Sequence, residues 1–146
     1  MRDQGISQER SVVTSRTLLF IVTALVEAAT GLGLLVLPAV VFDLLLGLKE
    51  AAGEALFVGR IAGAALLAIG VASWLTRRDE SGPAQPGLLA GIAIYNAATT
   101  ALLSYAAAAL EMTGPLLWPA VAIHAGLTVW CVTLLRAGTA KEPPAF

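Results

Sequence analysis

Four stretches of about twenty predominantly apolar residues decide what this chain can become, because that is the length an α-helix needs to cross a hydrocarbon core roughly 30 Å thick. They run over residues 17–37, 55–75, 87–110 and 116–135. The first stops at Pro38 and the second at Arg77-Arg78. The third follows the breaker Ser81-Gly82-Pro83, and the fourth is entered through Gly114-Pro115 and closed by Arg136. A lipid interior has no water to satisfy the backbone, so continuous runs of this length have to be helical. The expected fold is therefore an all-α integral membrane four-helix bundle forming a single domain. Composition points the same way: only 13% of the residues are charged and 58% are hydrophobic, whereas a soluble domain carries about 25% charged residues.

The same composition removes several function classes. A net charge of -1 provides no basic field for nucleic acid. Cys131 is the only cysteine, so an intramolecular disulfide, a CxxC redox pair and a cysteine-rich zinc site are all excluded, and no metal site is expected. Lying in an apolar run, its thiol is read as buried or lipid-facing. The basic N-terminus followed by an apolar run imitates a signal peptide. The run is too long for such a segment and no A-x-A site follows it, so it is read as a retained span.

Orientation follows from the basic residues. Arg2, Arg10 and Arg16 precede the first span, Arg77 and Arg78 lie in the middle loop, and Arg136 and Lys141 follow the last span. On the opposite side only Lys49 stands outside a helix. The positive-inside rule then makes both termini cytoplasmic in the inner (plasma) membrane. The linker 39–54 is too apolar for a plain loop and too short to span, with Asp43, Lys49, Glu50 and Glu54 punctuating it. It reads as a short interfacial helix on the outer surface or as an extension of the first helix kinked at Pro38. Residues 139–146 read as a disordered tail.

Gly59 and Gly63 form a GxxxG pair, as do Gly87 and Gly91, with Gly31 and Gly33 in the outer half of the first span. Such residues let helices approach closely, either within one bundle or across a homodimer interface. Trp74, Trp118 and Tyr105 lie near span ends, where aromatic belts belong.

The candidate site consists of polar residues inside the spans, since an unpaired charge at mid-span costs about 2.5–3.5 kcal/mol on insertion scales. Measured from the outer ends of their helices, Arg60 lies about 8 Å deep, His124 about 13 Å, Glu27 about 15 Å and Asn96 with Tyr95 about 21 Å; Thr99 and Thr100 come about a turn nearer the outside. One polar residue from each span can thus converge near the midplane. Glu27 and Arg60 are candidates for a buried ion pair that fixes helix order, although Arg60 can also snorkel to the headgroups. Asn96 suits interhelical hydrogen bonding. His124 suits either a hydrogen-bonded core position or a proton relay. Together Glu27, Arg60, Tyr95, Asn96, Thr100 and His124 can hold the polar head of a quinone or other lipophile, or a partner subunit.

Three segments carry a resemblance to a known group. The first helix is led by Arg16 and reads Glu27-Ala-Ala-Thr-Gly-Leu-Gly-Leu-Leu, followed by the outer linker with its charged residues. The second reads Gly59-Arg-Ile-Ala-Gly-Ala-Ala-Leu-Leu-Ala-Ile-Gly and ends at Trp74. The fourth carries Pro119, His124 and Trp130. In this layout, over nearly its whole length, the chain resembles the small bacterial membrane proteins called DoxX-like. The resemblance implies a four-helix bundle, sometimes a subunit of a membrane oxidoreductase handling quinol, and most often no known activity. The chain supplies no redox ligands of its own for such a role.

The residues contain no Walker loop, HExxH or GxSxG, and one histidine cannot make a bis-histidine haem site within the chain. The leading expectation is an accessory or ligand-binding membrane bundle, not an enzyme, able to sit in a homodimer or larger membrane complex. One alternative is a small proton-coupled exporter using Glu27. Another is an enzyme acting on a membrane lipid or quinone, with His124 and Glu27 as acid and base.

Overall fold

A computed structural model describes residues 2–79 and 84–139. They form five helices: α1 (Arg2–Val36), α2 (Pro38–Leu46), α3 (Gly53–Thr76), α4 (Ala84–Ala109) and α5 (Leu117–Thr139), with no strand among the described residues. Four helical segments are long and apolar enough to cross a membrane: Ser11–Val36, Gly53–Thr76, Gln85–Ala109 and Leu117–Ala137. Helix α1 begins well before the expected residue 17, and α4 begins three residues before the expected 87. The tail expected from residue 139 lies outside the described residues except for Thr139, the last residue of α5.

The linker after α1 is a separate helix. Pro38 bars its predecessor from helical geometry, and Leu37 accordingly leaves the α region, at φ -131° and ψ 55°. Pro38 then occupies the first turn of α2, where its missing N–H is no loss. The helix closes at Gly47, whose φ of 74° is a left-handed conformation suited to glycine and whose N–H donates to the Asp43 carbonyl at 2.8 Å. A close crossing fastens α2 to the approach of α5. The Leu116 N–H donates to the Leu44 carbonyl at 2.9 Å. A β-carbon at Gly114 would collide with the Leu45 carbonyl group.

Helix α3 is built inside out by the standards of a soluble protein. Its buried residues are Gly59, Gly63, Gly70 and Ser73, while Phe57, Val58, Ile61, Val71 and Leu75 all face outward. Lipid is as apolar as these side chains, so contact between helices depends on close backbone approach and not on hiding large residues. The seam with α1 is that close: a β-carbon on Gly31 would stand 2.7 Å from the Gly63 carbonyl oxygen, and one on Gly70 would stand 2.9 Å from the Ala28 nitrogen. Gly59 instead lies under the Phe42 ring of α2. The Gly59/Gly63 pair is therefore used within the chain, whereas Gly87 and Gly91 have nothing within 4 Å of an added β-carbon.

Helices α1, α4 and α5 meet in successive layers. An apolar layer of Leu19, Phe20, Leu89, Ile92, Ala93, Cys131 and Leu134 forms one end. The Trp130 indole donates to the Ser15 hydroxyl at 2.9 Å and Arg16 donates to Gln85 at 3.3 Å, tying the same three helices there. A polar layer follows, then a cavity, and α2 closes the other end.

Candidate functional site

The polar layer is assembled from α1, α4 and α5. Glu27 is only 1% exposed. The Tyr95 hydroxyl reaches it from α4, donating to Oε2 at 3.0 Å, while Glu27 Oε1 is buried without a hydrogen-bond partner. Tyr95 also meets His124 of α5 edge to face, with ring centroids 5.8 Å apart and planes at 84°. Asn96 is completely buried. Its amide donates to the Ile92 carbonyl one turn back at 2.8 Å, and its Oδ1 stands 2.7 Å from His124 Nδ1. Because the amide nitrogen is committed to a carbonyl, Oδ1 is the atom turned to the imidazole. An amide oxygen can only accept, so the proton of this contact belongs to Nδ1.

Above this layer lies a cavity of about 430 Å³, within the size range of small-molecule sites. Its wall is almost wholly aliphatic and comes from every helix of the fold. The polar exceptions are Thr30, Tyr95, Thr99 and His124. Glu27 is not on the wall; Tyr95, its hydrogen-bond donor, is. Thr99 stands about one turn along α4 from Tyr95 on the same wall. Leu44 and Leu45 of α2 with Leu116, just before α5, line the far end.

Four of the six residues singled out in the sequence, Glu27, Tyr95, Asn96 and His124, thus form one connected layer. Thr100 does not join the cavity, because its hydroxyl donates to the Asn96 carbonyl of its own helix at 2.8 Å. Arg60 is not brought to Glu27. It is exposed, and its Nε donates to the Leu35 carbonyl at 3.3 Å. Leu35 lies two helical turns beyond Glu27, about 12 Å along α1, and Arg60 stands at the flank of the α3 face that packs, reaching α1 only at this carbonyl. The convergence expected of four helices is a convergence of three. Thr30 on the wall was missed. So were Thr23 and Ser73, fully buried hydroxyls without a hydrogen-bond partner. Serine and threonine commonly bond their own helix, so residue type alone gave no signal for them.

Among the described residues no group of three His, Cys, Asp or Glu side chains is placed to hold a metal ion. Comparisons with family models, curated proteins and solved structures give no match to this chain.

Proposed function

We propose that this chain is a multi-pass protein of the inner (plasma) membrane, with both termini cytoplasmic, that binds a lipophilic molecule in the cavity walled by its five helices. It acts as a ligand-binding or accessory membrane protein and not as an enzyme. The observation that carries this reading is the cavity of about 430 Å³ with its aliphatic wall and its few polar groups gathered beside His124 and Tyr95. An apolar chamber with a small number of fixed polar groups is the usual form of a site for a lipophile. Those polar groups are themselves held, Tyr95 by Glu27 and His124 by Asn96, so the site needs little rearrangement to receive a ligand. An exporter working through Glu27 would need the ligand to meet that carboxyl group, but the cavity wall offers Tyr95 in its place.

The test is extraction of co-purifying small lipophiles from the protein purified in mild detergent, identified by mass spectrometry. Ala120 lines the cavity and is half-buried, so Ala120→Phe fills space the ligand would occupy. A stoichiometric lipophile retained by the wild type and lost from Ala120→Phe is the expected result. Equal amounts in the two proteins would reject the cavity as its site.

A further inference from the structure

Resting on that reading, we infer that the cavity takes an uncharged lipophilic alcohol, with the hydroxyl donating its hydrogen bond to His124 Nε2. The argument begins one residue behind the wall. Asn96 Nδ2 is spent on the Ile92 carbonyl and Asn96 Oδ1 faces His124 Nδ1 at 2.7 Å, so Nδ1 carries a proton. A cationic imidazole in an apolar chamber would be expensive, and no lysine, arginine or carboxylate is on the wall to change that. The uncharged ring with its proton at Nδ1 presents a lone pair at Nε2. Among the described residues His124 makes no second side-chain hydrogen bond, and it forms part of the cavity wall.

Of the other polar wall groups, the hydroxyls of Thr30 and Thr99 can each donate or accept and so select no kind of head. The Tyr95 O–H is given to Glu27, so His124 is the wall group left with a fixed, open polarity. The open group is thus an acceptor, which selects a donor head. A carboxylate or phosphate head would find no cation, and an ether or ester would set lone pair against lone pair at Nε2. A hydroxyl fits. With its head on His124, the hydrocarbon tail of the alcohol extends along the aliphatic wall toward Leu44, Leu45 and Leu116 under α2.

His124 is the only histidine in the chain, which makes the inference directly readable. Protein carrying ¹⁵N-labelled histidine and a histidine-free affinity tag, reconstituted in nanodiscs, shows the imidazole nitrogens of one residue. Farnesol, farnesyl methyl ether and farnesoic acid are then titrated in turn. The expected result is an Nδ1–H tautomer whose Nε2 signal moves on adding farnesol and stays put with the ether. Affinity for the ether should be lower by roughly two- to tenfold, the worth of one hydrogen bond. An Nε2–H tautomer or a doubly protonated ring overturns the inference. Equal binding of alcohol and ether with an unmoved Nε2 signal also overturns it, while leaving the cavity as a lipophile site. Tighter binding of the acid replaces the alcohol with an anionic ligand. Binding of none of the three removes both the inference and the cavity reading beneath it.

Discussion

Glu27 and Tyr95 show how much depends on single groups in a dry interior. The carboxyl group has one oxygen held by the Tyr95 hydroxyl and the other unpartnered. Removing one member of a buried pair costs more than removing both, because the survivor keeps its desolvation penalty and loses its compensation. Tyr95→Phe alone should therefore lower the unfolding free energy by about 1–3 kcal/mol, measured in mixed micelles of mild detergent and dodecyl sulfate. The same change should cost clearly less in a Glu27→Leu background; equal costs in both backgrounds would mean the two residues are not coupled. Arg60 is the opposite case. Exposed and bonded only to a backbone carbonyl, it should tolerate replacement by glutamine with a change below about 0.5 kcal/mol. Depth along a helix was legible in the sequence, which is why Glu27, Tyr95, Asn96 and His124 could be gathered into one layer. The side of the helix was also written there for Arg60, since Gly59, Gly63 and Gly70 mark the packing face of α3. Reading depth without face led to the expected ion pair with Glu27.

At the scale of the elements, the glycines separate into those that make the fold and those that leave space. Gly63 sits where an added β-carbon would be 2.7 Å from the Gly31 carbonyl oxygen, a backbone atom that cannot move without shifting α1. Gly63→Val should destabilise by about 1–3 kcal/mol, the range for overpacking, with a matching loss of thermal stability in detergent. Gly91, with nothing near, should accept alanine within about 0.5 kcal/mol. If both substitutions behaved alike, α1 and α3 would not be joined by backbone contact. The two GxxxG pairs look the same as text and differ only in whether another helix of this chain lies against them. Spacing therefore exposed the capacity for close approach but not its partner. The linker helix was more legible: Pro38 fixes a break and the apolar residues that follow call for cover. Its fastening at Gly114 was not, because that contact joins segments some seventy residues apart and leaves no periodic mark.

For the whole molecule, the distribution of charge makes a claim about sidedness that the layered structure sharpens. Arg77, Arg78 and Arg136 belong to helix ends on the side away from α2, and Arg16 lies within α1 toward that same side, while Asp43, Lys49 and Glu50 lie in or just beyond α2. Basic residues are retained on the cytoplasmic side, so in the proposed topology α2 and the far end of the cavity face outward. Glu50 and Asp79 are both exposed, and Cys131 is completely buried, which leaves a nearly silent background for cysteine labelling. In intact cells, Glu50→Cys should react with a membrane-impermeant maleimide, whereas Asp79→Cys should react only after the membrane is opened. The unaltered chain should stay unlabelled in both conditions until it is denatured. The reverse pattern would invert the topology. The outcome also bears on the ligand, because the cavity lies on the α2 side of the polar layer and Leu44 and Leu116 at its margin are themselves partly exposed. Under the proposed function and with α2 outward, a lipophile would enter from the outer leaflet and halt at His124, short of the apolar layer of Phe20, Ile92 and Cys131 on the other side of the polar layer.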